Sequence, residues 1–321
     1  MHVMSFCFLV FLEFCTEEMT VKNNIFIIII LLLTSFIVLG QNAIVKPSLI
    51  GARNSALADA DISGSYNISS MYLNPAALIF VSGSSIFFNH SQIKNNLGMS
   101  ESLAFPILSQ GPQVLSMGLD VFHLGYVQPP YGFSGQHVLE YGCNIAFASA
   151  LSSTFSMGIS ADLQKGNANG SQALAASYSI GMDYSPTADI NYGAVFSGIG
   201  TEVQYIPQNT MLNAQADNAP KILEIGATMS YPSSSSLRRK VFFLSLANEK
   251  IFGETGLFYK AGIEVRPFDF LSLRYGFITG IGVSEASYGI GFQINSFIVD
   301  YVLYPEQASY MLEQISLSYN I

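Results

Sequence analysis

The sequence is poor in charge: 11% of its 321 residues are Asp, Glu, Lys or Arg, against about 25% in an ordinary soluble domain. Basic residues are the scarcer, 13 Lys and Arg against 22 Asp and Glu for a formal net charge of −9. No basic stripe runs along the chain to meet phosphates, so nucleic acid is excluded as a partner. Cysteine is nearly missing, at 3 residues. Cys7 and Cys15 precede the segment read below as mature, and Cys143 on its own builds neither a disulfide framework nor a metal centre. Long apolar runs are absent after residue 40, yet 50% of the chain is hydrophobic and the mean hydropathy is +0.38. This excludes a bundle of membrane helices, each of which needs about 20 consecutive apolar residues. What remains is a very dry soluble core, or a barrel whose apolar residues are spread over alternate strand positions. Abundant Tyr (17) and Phe (24) without Leu-rich helical blocks favour the barrel.

The one long apolar run lies near the N-terminus. Lys22 precedes "NNIFIIIILLLTSFIVLG", which has the length of a secretory signal, with Val38 and Gly40 as the small residues before a cut at Gln41. A retained anchor is the alternative, for which the run is short. A signal of ordinary length begins at Met19. The expected organisation is therefore a spurious extension over residues 1–18, a signal peptide over 19–40, an N-terminal segment with an Asn-Pro-Ala motif over 41–83, and a barrel over 84–321.

What the rest of the chain holds is alternation at the period of a strand. In "TFSMGISADLQ", Phe155, Met157, Ile159, Ala161 and Leu163 share one face while Ser156, Gly158, Ser160, Asp162 and Gln164 share the other. "GLFYKAGIEVR" sets Leu257, Tyr259, Ala261, Ile263 and Val265 against Lys260, Gly262, Glu264 and Arg266. The bulky face is the hydrophobic one, and the polar face is mostly Gly, Ser and Ala, which suits a crowded or water-containing interior. A transmembrane barrel is patterned in this inside-out way. About fourteen such segments are expected, near 84–91, 97–107, 112–124, 137–151, 154–165, 172–184, 189–199, 221–232, 239–249, 256–267, 270–278, 285–295, 296–304 and 312–321. Pro186–Ala188 and Pro267–Asp269 read as short turns on one side; 124–136, 165–171 and 200–220 read as longer loops on the other. The final stretch "QISLSYNI" is apolar on one side only. It needs a partner on both edges, which closure onto the first strand supplies.

Charges with the parity of the small face are expected in the lumen: Glu140, Asp162, Asp183, Glu224, Lys260, Glu264, Arg266, Arg274 and Asp300. A hairpin centred on Asp269 would set Glu264 directly across from Arg274 as a cross-strand ion pair. Such a network keeps charge out of lipid, and solute selection is the functional alternative. His90, His123 and His137 stand at no metal-ligand or triad spacing, with His123 and His137 expected outward near strand ends. No serine is marked out by a base within reach. No catalytic residue, metal ligand or cofactor is expected. Tyr126, Tyr131, Tyr184, Tyr231, Tyr301 and Tyr304 suit aromatic girdles at headgroup level, or loop packing.

Residues 51–84, "GARNSALADADISGSYNISSMYLNPAALIFVSGS", lack strand alternation and read as a short helix or irregular segment at the barrel mouth, with Asn74–Pro75 turning into the first strand. This stretch resembles the N-terminal signature of the FadL-like outer-membrane barrels, in particular the PorV/PorQ branch associated with type IX secretion. Gly51, Ala52 and Arg53 open it and Tyr72, Asn74, Pro75, Ala76 and Leu78 close it, and the C-terminal "ISLSY" is similar to that branch's endings. Leu57–Ala60 replaces the branch's Met-Gly-Gly-Ala, Tyr66–Asn67 its Asp-Asp pair, Ala77 its Gly before the Leu, and Ile321 the usual terminal aromatic. The resemblance implies a non-enzymatic protein of the bacterial outer membrane, surrounded by its lipid and inserted by the barrel-assembly machinery. By that resemblance it would meet secretion-system components and help export or attach cargo proteins. The competing expectation is a FadL-like channel for hydrophobic molecules such as long-chain fatty acids, with 51–83 as an internal plug. A barrel with only a structural or interaction role is the third.

Overall fold

The structure is a computed structural model that describes residues 50–64, 67–81, 85–93, 98–127, 136–168, 171–200, 204–206, 220–232, 240–280, 282–306 and 310–320. The expected extension, signal peptide and cleavage site lie outside the described residues. The strands, in chain order, are β1 (Ser85–Ile93), β2 (Gly98–Gln110), β3 (Gln113–Val127), β4 (Gln136–Ala150), β5 (Phe155–Ala168), β6 (Ser171–Thr187), β7 (Ile190–Gly200), β8 (Gln204–Ile206), β9 (Ile222–Tyr231), β10 (Phe242–Ile251), β11 (Phe258–Phe268), β12 (Leu271–Gly280), β13 (Val283–Ile294), β14 (Phe297–Glu306) and β15 (Tyr310–Asn320). Each pairs antiparallel with its neighbours, β15 lies against β1, and β8 alone stands outside the ring. The result is a closed antiparallel barrel of fourteen strands. Closure runs from Ser85 opposite Asn320 to Ile93 opposite Leu312. The terminal strand thus has no free edge.

Alternation sorts the two faces as the period requires. Along β5, Ser156 and Ser160 are buried while Met157 and Leu163 stand 37% and 48% exposed on the outer wall. In β15, Gln314, Ser316 and Ser318 point inward and Ile315, Leu317 and Tyr319 outward. One rim, where the short turns are, carries outward aromatics in contact: Phe268 with Phe270, Phe297 with Tyr319 and Tyr184 with Tyr192, at centroid separations of 5.4, 4.7 and 6.4 Å. Tyr231 belongs to this rim and is exposed. Tyr301 sits mid-strand opposite Ile290 instead, and Tyr304 donates to Glu285 at the other end, 2.8 Å away. The side chains of Tyr126 and Tyr131 lie outside the described residues.

Two connections differ from expectation. Residues 165–171 are strand on both sides of the link, paired as far as Ala168 opposite Ser171, because alternation continues there in small residues with little hydrophobic signal. Within 200–220, Gln204–Ile206 forms β8 against Gln172–Leu174. β6 outruns β7, whose pairing stops at Ser177 opposite Gly200, and β8 covers the edge left bare.

The segment before β1 holds one turn of α-helix, α1 (Ala52–Ala56), and two 3-10 turns, η1 (Ile68–Tyr72) and η2 (Pro75–Phe80). Asn67 and Asn74 cap the 3-10 turns, their side-chain oxygens accepting from the amides of Ser69 and Ala76 at 3.2 and 3.0 Å. Asn74–Pro75 therefore opens a helix rather than turning into the first strand: the Asn side chain satisfies an orphan amide, and Pro at the first helical position lacks one. Nor does the segment sit at the mouth. Every residue of α1 and η1 is buried. Added Cβ atoms at the inward glycines of β5, β6, β11 and β12 would run into it: Gly158 at 2.4 Å from the amide nitrogen of Ala76, Gly181 at 2.0 Å from Oδ1 of Asn74, Gly262 at 2.8 Å from Leu57 and Gly276 at 2.4 Å from Ala58. The small inner face is small because a peptide backbone lies against it.

Candidate functional site

The plug has two sides. Ile68, Met71, Tyr72, Leu78 and Val81 pack on Phe87, Ala104, Val114, Ala146 and Ala148, an apolar patch of the inner wall on β1 to β4. Burying each large apolar side chain is worth about 1.5–3 kcal/mol, so this side supplies adhesion. The other side supplies register through charge. Glu264, fully buried, accepts from Nε of Arg53 at 3.0 Å, Nε of Arg274 at 3.1 Å and Nε of Arg266 at 2.5 Å. Arg53 also reaches Asp61 at 2.8 Å, and Arg274 reaches Asp300 at 2.6 Å. Asp61 in turn accepts from Thr228 at 2.7 Å and from Ser245 at 3.3 Å. Arg53, Arg266 and Arg274 balance Asp61, Glu264 and Asp300, so the cluster is formally neutral, the condition under which buried charge is tolerable. The Arg266 guanidinium also covers the Phe243 ring at 4.4 Å.

A second cluster holds Lys260 between Glu224 at 2.7 Å and Glu249 at 2.6 Å. Further pins run around the ring. Ala52 donates its amide to Ser316 at 3.2 Å, Asn74 donates to the carbonyl of Met182 at 3.2 Å and, within the plug, to that of Ile62 at 2.9 Å, and Ser156 donates to the carbonyl of Ala76 at 3.2 Å. Tyr72 donates its hydroxyl to Asp120 at 3.1 Å. Burial, and then the Asp120 carboxylate, push the Tyr72 phenol well above its ordinary value of 10.0, which keeps it a donor.

The motif residues and the lumen charges thus meet, Arg53 on Glu264 being the junction. Glu264 lies opposite Arg274 in the β11–β12 ladder. Asp183 is buried on β6 and accepts from Ser185 at 3.2 Å. Glu140 and Asp162 are half-buried on β4 and β5 and line a cavity of about 40 Å³ with Tyr72 and Asp120. Sequence reasoning missed Asp61, Asp120 and Glu249. Asp120 and Glu249 share the parity of their small-face neighbours, so the same alternation rule would have found them; Asp61 lies where there is no period to read. His90 pairs with Glu101 at 2.6 Å on the outer face, His123 lies opposite Met99 and Leu139, and the side chain of His137 lies outside the described residues.

No family model matches the chain, and no curated protein matches it by sequence. Solved structures do. The chain is similar to the Pseudomonas putida toluene transporter TodX, with 11% identity and a TM-score of 0.63 over 85% of this chain and 99% of that one. It is similar to the CymD monoaromatic hydrocarbon channel, with 11% identity and a TM-score of 0.65 over 85% and 98%. A Pseudomonas aeruginosa FadL homologue matches at 11% identity and a TM-score of 0.57 over 89% and 99%. At such identities the likeness establishes the fold alone, the closed barrel shared with these structures. None of these matches bears on the PorV/PorQ branch.

Proposed function

We propose that this protein is an outer-membrane channel for small hydrophobic molecules, with residues 50–81 as its internal plug. The observation that carries the reading is the plug itself. A diffusion porin keeps its lumen open to water; here the lumen holds a segment pinned to opposite walls by an apolar patch and by buried ion pairs. Passage then follows a shaped route around or past the plug, which suits molecules that leave water readily. The fold shared with hydrocarbon transporters supports this reading over cargo export, and the outer wall, with Leu317 and Tyr288 among its 40% and 52% exposed side chains, suits lipid. The plug contacts identified above explain the Gly51–Arg53 and Tyr72–Leu78 motif as anchoring, with no secretion partner needed.

Deleting the gene tests the assignment. Uptake of a labelled monoaromatic hydrocarbon should fall while the secreted and cell-surface proteomes stay unchanged. Loss of surface proteins with normal hydrocarbon uptake would transfer the assignment to cargo export.

A further inference from the structure

One stretch of the outer wall is not smooth. In register across five strands stand Tyr192 on β7, Ala227 on β9, Leu246 on β10, Ala261 on β11 and Phe277 on β12. Bulky side chains alternate with methyl groups along this row, so the wall dips wherever an alanine stands. The dips form an open groove of about 490 Å³, within the range of about 300–1,000 Å³ that holds small apolar ligands. The next outward row, toward the rim away from the short turns, starts at Ile225 and then turns polar: Asn248 lies opposite Tyr259, and Tyr259 opposite Thr279, all lining the groove. Asn248 is exposed, and its amide makes no hydrogen bond among the described residues. An amide facing hydrocarbon without a partner is costly. Two residues further along β10, about 7 Å on, Lys250 has the same outward parity. Its ammonium donates to the backbone carbonyls of Glu254 at 2.5 Å and Gly256 at 3.0 Å in the link to β11, which holds it at the end of the strand. No carboxylate among the described residues pairs with it. An ammonium has three N–H donors, so one is left for an anion.

The outward positions of β10 therefore run Leu244, Leu246, Asn248, Lys250: apolar, apolar, amide, ammonium. A membrane lipid presents its hydrocarbon, its carbonyl linkage and its phosphate in that same order. We propose that the groove binds one phosphate-bearing lipid of the surrounding leaflet. An acyl chain fills the dips over Ala227 and Ala261, Asn248 donates to the carbonyl of the chain's linkage, and Lys250 donates to the phosphate. The charge selects this occupant, because a basic side chain at headgroup level attracts anionic lipid and a neutral lipid leaves it unmet. A second copy of the chain meeting this face about a twofold axis would instead bring one bare ammonium toward another. The site is on the outer wall, so it holds whatever the lumen passes.

Native mass spectrometry of the purified full chain, delipidated in a nonionic detergent, counts the lipid retained as defined lipids are added back. Dioleoylphosphatidylglycerol should leave one tightly held copy per chain. Dioleoylglycerol, which lacks the phosphate, should bind about tenfold more weakly, as loss of a charge-assisted contact does. Lys250→Gln should weaken the phospholipid by about tenfold and leave the diacylglycerol unchanged, whereas Asn248→Leu should weaken both by about fivefold. Ala261→Phe fills the groove from the lipid side and should abolish the retained copy. A gel shift on heating shows that each variant is folded. Three results would each overturn the proposal. Glycerol phosphate binding as tightly as the phospholipid would reduce the site to a phosphate contact; a dimer mass lost on Ala261→Phe would give the face to a second copy; and equal retention by wild type, Lys250→Gln and Ala261→Phe would leave only unselective bilayer lipid.

Discussion

Replacing Glu264 by Gln keeps the shape of the side chain and removes one charge from the centre of the lumen. In the native protein this carboxylate takes hydrogen bonds from Arg53, Arg266 and Arg274 and is fully buried. The amide offers one acceptor and presents N–H groups to cations, and the arginine cluster goes from neutral to a formal charge of +1. Arg53 keeps Asp61 and Arg274 keeps Asp300, so the network is weakened rather than dissolved. Breaking one partner of a buried pair costs about 3–5 kcal/mol. At about 2 °C per kcal/mol for a chain of this size, Tm should fall by about 6–10 °C. The assay is the temperature at which the folded band converts to the unfolded one on semi-native gels, checked by circular dichroism in detergent. Combining Glu264→Gln with Arg53→Met should give less than the sum of the two single effects, by about 0.5–3 kcal/mol, because the residues share one interaction. A Tm within about 2 °C of wild type, or strict additivity, would refute the idea that Glu264 ties plug to wall.

Arg274→Ala leaves Glu264 and Asp300 each short of a donor and should cost about 3–5 kcal/mol, read as lost heat resistance; unchanged stability with altered transport would instead make Arg274 a selectivity residue. Gly158→Val places a side chain where even a Cβ lies 2.4 Å from the plug backbone, so the plug must shift and ion conductance in planar bilayers should rise above a nearly closed wild type; unchanged conductance would contradict the close contact. Tyr72→Phe removes the bond to Asp120 and should cost about 1–2 kcal/mol. Because the folded protein raises the Tyr72 pKa above its ordinary 10.0, its protonated form stabilises the fold fully below that pH, and the contribution is lost as pH climbs toward the raised value. An alkaline titration followed at 295 nm should show the same early tyrosine steps in wild type and Tyr72→Phe, and a step missing from the variant near pH 10 would count against the buried phenol.

The strands were legible because their cause is local. Each residue's side alternates with its neighbour's, and a barrel needs nothing more to show its period. The opposition of Glu264 and Arg274 was legible for the same reason, since a hairpin near Asp269 sets the register between them. The plug's place was not. Arg53 meets Glu264 across 211 positions, and no periodicity links residues so far apart. The inner glycines could be seen to be small, but what they make room for is a backbone elsewhere in the chain. Segment 165–171 reads as a loop because small residues carry little hydrophobic signal, even where they pair on both sides of the link. Asn74–Pro75 carries the same turn chemistry in a cap as in a turn, and only the direction of the following backbone separates the two.

The outward face of the barrel is the premise for everything above, and the absence of tryptophan gives a silent background on which to test it. A single tryptophan placed at Tyr288, outward in mid-strand on β13 and 52% exposed, is reconstituted in vesicles of lipid brominated along its acyl chains. Strong quenching of its fluorescence, absent in unbrominated lipid, is the predicted result; fluorescence indifferent to bromine and quenched by aqueous iodide would contradict the account.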